Sequence, residues 1–232
     1  MLTPQELDHQ YNARAAIPDH PEIFERWRAD SRLACDGLRW EADCHFGSSP
    51  AETLDFYPAA VPNAPLLVFI HGGYWRSLDK QDFSFLAPGF VKAGVALAMP
   101  NYGLAPATPI AEMVRQMLRA MAWLYRHGAE LGIDRRRIAV AGHSAGAHLA
   151  AMMLAADWPL MAGDLPRDLL RGATCISGLY DLQPLVRTLF LQDDLRLDDA
   201  TAQRVSPVAY RPALPLPLFT AVGNAESSEF KR

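Results

Sequence analysis

Residues 137–151, Arg-Ile-Ala-Val-Ala-Gly-His-Ser-Ala-Gly-Ala-His-Leu-Ala-Ala, constrain this chain more than any other stretch. A β-favouring apolar run, Ile138 to Ala141, meets Gly142-His143-Ser144-Ala145-Gly146, and an Ala-rich helical run begins at once. This is G-x-S-x-G in a strand–turn–helix setting. The turn must be sharp enough to put the Ser144 hydroxyl at the C-terminal edge of a sheet. Ser144 then takes a strained backbone conformation, and its neighbours crowd unless positions 142 and 146 lack a Cβ. The helix starting beside Ser144 aims free N–H groups and a partial positive charge at any oxyanion forming there. The pattern alone arises by chance in roughly one chain of this length in fifteen, so its meaning depends on its surroundings.

Those surroundings alternate strands with helices. Residues 4 to 33 read as a helical arm interrupted at Pro18 and Pro21, the first part of an N-terminal arm over 1–40. Ala42 to Phe46 and Thr53 to Pro58 form a hairpin-like strand pair around Gly47-Ser48-Ser49-Pro50. Pro65 to Ile70 is a continuous apolar run, as a strand buried on both faces should be, and it leads into His71-Gly72-Gly73-Tyr74-Trp75. Asp79 caps a helix through Phe83, Leu86, Phe90 and Val91, kinked at Pro88 and ending at Gly94. After the strand Val95 to Met99, Thr108 and Pro109 supply an N-cap and a first-turn proline. The helix they open keeps Met113, Val114, Met117, Leu118, Met121, Leu124 and Tyr125 on one core-facing side. Gly172 to Ser177 is the next strand, residues 180–212 make an irregular excursion, and Leu216 to Val222 is the last strand. The expected fold is a mostly parallel α/β sheet with helices on both faces, whose ligands bind at the C-terminal strand ends. His71-Gly72-Gly73, Asn101-Tyr102, Ser144, Ser177-Gly178 and Gly223 to Glu226 all fall at such ends.

With 232 residues, half of them hydrophobic, the sequence predicts one globular domain over 1–232. The net charge of −4 and the lack of a Lys/Arg cluster argue against a nucleic-acid partner, and Arg135-Arg136-Arg137 is read as a solvated turn. No apolar run is long enough for a membrane span, and the N-terminus is too polar for a secretory signal. Cys35, Cys44 and Cys175 are odd in number and lack ligand spacing, which fits reduced thiols and a cytoplasmic location. No metal and no organic cofactor is expected, the partner being a small-molecule substrate; a homodimer is left open.

A serine hydroxyl becomes a nucleophile with a base, a group orienting that base, and an oxyanion site. Gly72 and Gly73 present backbone N–H groups where a side chain would collide with substrate, and the Ala145 N–H follows the nucleophile. The acid should come after the last strand, where Glu226 stands; Asp181 is its rival, and Glu229 reads as a surface residue. The base should follow the acid, yet no histidine lies after His148. His143 points away from Ser144 at such an elbow, His71 braces the oxyanion loop, and His148 is buried in the elbow helix. His9, His20, His45 and His127 belong to arms or outer surfaces.

His71-Gly72-Gly73-Tyr74-Trp75 and Gly142-His143-Ser144-Ala145-Gly146-Ala147-His148-Leu149 resemble the arylformamidase (kynurenine formamidase) group of α/β-hydrolases, within the hormone-sensitive-lipase-like esterases. Leu7 to Arg14, Asn101 to Pro106 and Glu226 to Phe230 extend the resemblance over most of the chain. It implies an α/β-hydrolase fold and a serine hydrolase acting on an aryl formamide such as N-formylkynurenine, or on a short-acyl ester. It implies Ser144 as nucleophile, Glu226 as acid, Gly72, Gly73 and Ala145 as oxyanion donors, and Tyr74 and Trp75 as walls of the substrate pocket. It also implies a last strand, a last helix and a catalytic histidine that this sequence lacks, so a C-terminally incomplete chain is expected. The last strand, Leu216 to Val222, would then be an open sheet edge. A non-catalytic binding or scaffold relative that lost its base is the alternative.

Overall fold

The computed structural model describes residues 2–232. Seven strands form one sheet in the order β1-β2-β4-β3-β5-β6-β7: β1 (Glu41–His45), β2 (Thr53–Tyr57), β3 (Ala64–Ile70), β4 (Ala96–Pro100), β5 (Ile133–His143), β6 (Leu170–Ile176) and β7 (Leu218–Ala221). β1 pairs with β2 and β2 with β4 antiparallel, while every pairing from β4 through β7 is parallel. The expected α/β-hydrolase architecture is therefore present.

The two-residue period of the strands divides the core. Leu66, Val68 and Ile70 of β3 point to one face with Ala96, Ala98, Ile138 and Val140. That face is covered by α5 (Ile110–Arg126) and α6 (Ala145–Ala155), and the methionine row expected in α5 lies within it, with Met113, Met117 and Met121 buried. Phe69, Leu97, Met99 and Ala141 point the other way, against Phe83, Ala87 and Trp27. α6 is buried almost all round, which explains why its sequence shows no polar stripe.

The N-terminal arm is α1 (Pro4–Tyr11), α2 (Ala13–Ala16) and α3 (His20–Asp36). The breaks fall at Asn12, whose side chain caps α2, and before the His20-Pro21 start of α3. The helix expected after Asp79 is two pieces: a 3₁₀ segment over Lys80–Leu86, capped by Asp79, and α4 (Ala87–Lys92). Pro88 sits in the first turn of α4, where its missing N–H costs nothing, so it starts a helix and does not kink one. α5 likewise begins one residue later than Thr108 and Pro109 predict; Pro109 itself takes the extended capping position. Arg135 to Arg137, read as a turn, are exposed residues inside the longer β5. α7 (Trp158–Met161), α8 (Leu189–Leu195), α9 (Asp199–Arg204) and α10 (Ser228–Lys231) complete the helices. Among the described residues β7 pairs only with β6, and all four of its residues are exposed, so it is the expected edge.

Register places the site. Ile70 lies opposite Gly142, His143 opposite Ile176, and Ile176 opposite Ala221. The segments that follow, starting at His71, Ser144, Ser177 and Val222, therefore leave the sheet at one level.

Candidate active site

Ser144 has φ 55° and ψ −118°, a conformation costly for a residue with a side chain, at the junction of β5 and α6. Its N–H donates to Ile176 O at 2.8 Å, which pins it to the neighbouring strand, and its hydroxyl does not cap the helix it opens. The two glycines are required by contact. A Cβ on Gly142 would lie 2.2 Å from Gly146 O, and one on Gly146 would lie 2.0 Å from Ile70 O.

The loop expected to form the oxyanion site approaches from β3. A Cβ on Gly72 would meet His143 O at 2.8 Å and the Ser144 Cβ at 3.3 Å, so this backbone reaches Ser144 only because it is bare. Gly73 has φ 113°, and Tyr74 and Trp75 follow with φ near 50°, a run of left-handed residues that folds the loop back on itself. Neither the Gly72 nor the Gly73 N–H donates to a described residue, and Ala145, first in α6, has no acceptor one turn before it.

His71 braces this loop, as expected. Its Nδ1 lies 2.8 Å from Gly72 O and its Nε2 3.0 Å from Asn101 Oδ1, while Tyr102 stacks on the ring and donates to His71 O. Burial pushes its pKa down. His148 is fully buried; its Nδ1 accepts from Trp75 Nε1 at 3.2 Å and its Nε2–H donates to Val205 O at 2.6 Å. Burial lowers its pKa to about 4. Both rings are committed to structure.

Trp75 corrects an expectation. It is wholly buried against His148, ring edge to ring face at 5.1 Å, and does not line the cavity at Ser144. The left-handed backbone at 74 and 75 sends successive side chains apart, so only Tyr74 reaches the cavity.

That cavity holds about 310 Å³ and brings Ser144, Gly73, Tyr74 and Glu226 together. Glu226 follows β7 and accepts from Ser177 Oγ at 2.5 Å and from Gly223 N–H at 2.8 Å. Asp181 does not line it; its carboxylate accepts from Gln183 N–H and faces Arg232. Glu229 accepts from Tyr11 Oη, which makes it a bracing residue rather than a surface one. His143 lines the cavity too, contrary to its expected direction, and burial lowers its pKa against the pull of Glu226. Among the described residues no histidine hydrogen-bonds Ser144 or Glu226. A larger cleft of about 620 Å³ beside β7 does not include Ser144.

Sequence reasoning missed the opposite wall. Ile17, Ile23, Phe24 and Trp27, with Arg14 and His20, come from α2, α3 and the turn between them and close over Ser144. Nothing in the local pattern says where an N-terminal helix docks. Ser177, with φ 50° and 8% exposed, was legible only as a strand-end residue. Among the described residues, no cluster of His, Cys, Asp or Glu could hold a metal ion, and no helix is long and apolar enough to cross a membrane.

A protein of Silicibacter sp. TM1040, described as a candidate thioesterase, superposes with a TM-score of 0.85 at 33% identity, over 97% of this chain and 83% of that one. The chain belongs to the α/β-hydrolase superfamily. The BD-FAE family profile matches residues 54–158 of this α/β-hydrolase, from β2 through the elbow to α7. Kynurenine formamidase of Danio rerio is 32% identical over 197 residues, 82% of this chain and 64% of that protein. Kynurenine formamidase of Salmo salar is 29% identical, over all of this chain and 77% of its own. The chain thus spans less than two thirds of the zebrafish protein's length and about three quarters of the salmon one.

Proposed function

We propose that this chain is the core of a serine hydrolase that cleaves a small aryl formamide, or a short-acyl ester, through an acyl-enzyme on Ser144. The observation that carries the reading is Ser144 itself, held in a strained helix-opening conformation in a cavity that also receives Glu226 and the bare Gly73 backbone. In this reading Ser144 Oγ bonds to the carbonyl carbon, and the C=O π pair moves onto oxygen. The N–H groups of Gly72, Gly73 and Ala145 receive that oxyanion, at a place where the N-terminus of α6 adds its partial positive charge. Collapse expels the amine or alcohol with the proton that left Ser144, and water then releases formate or a short acid.

The walls support the substrate class. Phe24, Trp27, Tyr74 and Phe230 surround the cavity, whose volume suits one aromatic ring with a small acyl group. The similarity to kynurenine formamidases supports the formamide over the ester. Glu226 serves as the acid because it reaches the cavity and Asp181 does not. Its carboxylate is already held by Ser177 and Gly223, ready to orient an imidazole. With no described histidine bonded to Ser144, a polypeptide of these 232 residues is expected to react slowly. Oxyanion and binding contributions alone leave about 10³–10⁴-fold over water in serine proteases stripped of a triad member.

A serine-directed fluorophosphonate tests the reading. It should label the protein at Ser144, and Ser144→Ala should abolish labelling. Equal labelling of the two proteins removes Ser144 from the mechanism. Rates for formanilide and 4-nitrophenyl acetate then decide between formamide and ester.

A further inference from the structure

The segment Gln10-Tyr11-Asn12-Ala13-Arg14 takes no part in the chemistry above, yet it is tied firmly to the loops that do. Gln10 Oε1 accepts from Ser228 Oγ at 2.9 Å and from the Glu229 N–H at 3.3 Å, just beyond the acid. Tyr11 Oη donates to Glu229 Oε2, and Tyr11 O accepts from Tyr74 Oη in the oxyanion loop. Asn12 ends α1 and caps α2 through its side chain. These contacts fix where the next side chain goes, and Arg14 goes into the wall of the Ser144 cavity.

Arg14 is half-buried there. One Nη2–H donates to Ser77 Oγ, which in turn donates to Gly73 O at 2.9 Å, and the guanidinium lies 5.4 Å from the Phe24 ring centre. Arg28, Arg76, Arg119 and Arg126 each meet a carboxylate. Arg14 meets none among the described residues; Glu226, in the same cavity, is held by Ser177 and Gly223. Apart from His20, the remaining wall of the arm is apolar: Ala13, Ile17, Ile23, Phe24 and Trp27. A charge in such surroundings without a counter-ion is unfavourable, and burial together with Arg76 pushes its pKa down. Its free N–H groups form a planar fork whose natural complement is a carboxylate.

We propose that Arg14 is the specificity-determining residue of this site, binding a carboxylate carried by the substrate in addition to its scissile carbonyl. The preferred substrates are then anionic aryl formamides or esters, and neutral ones of the same shape are poor ligands. This rests on the reading of the Ser144 cavity as the substrate site, and a binding measurement separates the two. In Ser144→Ala protein, which cannot turn over, calorimetry would compare 3-formamidobenzoate with its neutral carboxamide analogue. The expected result is about 10- to 100-fold tighter binding of the acid, the range of a charge-assisted hydrogen-bond pair. Arg14→Met should bring the ratio to about one, and Arg14→Lys should keep part of it, since it retains the charge without the fork. Far-ultraviolet circular dichroism checks that each variant is folded. Should Arg14→Met not fold, Arg14→Lys still decides, because loss of the fork must lower the ratio.

A ratio near one in the parent protein, failure of both compounds to bind, or a ratio unmoved in Arg14→Met and Arg14→Lys would overturn the assignment. Selective binding of the acid with no hydrolysis when Ser144 is restored would sink the hydrolase reading and leave the anchor standing. Hydrolysis of both compounds with no selectivity would do the reverse.

Discussion

Replacing Gly146 by alanine should separate α6 from β3 and move Ser144. An alanine Cβ at this position would start 2.0 Å from Ile70 O and 2.5 Å from His71 O. Non-bonded heavy atoms settle near 3.5 Å, so roughly 1.5 Å must be made up by backbone, not by a flexible side chain. α6 cannot simply rise, because its other sides are buried as well. Overpacking of this kind costs about 1–3 kcal/mol, and the rigid partner places Gly146→Ala at the upper end. For a domain of this size about 3 kcal/mol lowers Tm by roughly 6–12 °C. The same displacement acts on chemistry, because Ser144 sits two residues before the contact and the oxyanion loop begins at the atoms struck. A misplacement of about 1 Å is enough for a 10²-fold loss. Thermal unfolding and the rate of fluorophosphonate labelling measure the two effects on one sample. An unchanged Tm with an unchanged labelling rate would refute the claim that bare backbone at 146 holds the elbow against β3.

Three further outcomes follow from other parts of the molecule. Glu226→Gln should lower hydrolysis by at least about 10²-fold where a base is present, with little change in Tm, whereas Asp181→Asn should leave the rate near its starting value; steady-state kinetics with formanilide reads both. Lys80→Met should cost about 3–5 kcal/mol in urea unfolding, because it strands the fully buried Asp55 carboxylate, to which Lys80 Nζ donates at 2.7 Å. His148 has a folded-state pKa of about 4, below its ordinary 6.5, so the unfolded chain binds the extra proton first. Its contribution, about 3 kcal/mol, is fully present above pH 6.5 and lost as pH falls towards 4; His148→Gln should flatten unfolding free energy over that window.

The sheet was largely legible because its strands announce themselves. A run such as Leu66 to Ile70, apolar at every position, can only be buried on both faces, and the structure divides it between two cores. The elbow was legible for a different reason: Gly142 and Gly146 are fixed by contacts within a few residues and with the next strand, so local sequence encodes them. Helix starts were less so. Pro88 and Pro109 both mark the beginning of a helix, but sequence cannot tell a kinked helix from a 3₁₀ segment handing over to a new one.

The arm's wall of the Ser144 cavity was not legible, and the reason is physical. α2 faces Ser144 because Tyr11 reaches Glu229, Phe230 and Tyr74, contacts that span up to more than two hundred residues of sequence, while α3 is held by Trp27, Arg28 and Ser31 against Phe83, Asp82 and Phe85 of the 3₁₀ segment. Such closures leave no periodic trace, since single side chains of distant segments carry them. Trp75 shows the converse. Adjacent to Tyr74 and equally aromatic, it looks like a wall residue until the left-handed backbone turns it under α6, onto His148. There it forms part of the rigid floor beneath the elbow, which leaves the arm to shape the cavity from above. On the reading that the Ser144 cavity is the substrate site, selectivity belongs to the arm and the nucleophile to the sheet, and variation in the first thirty residues should change what is bound before it changes what is done to it.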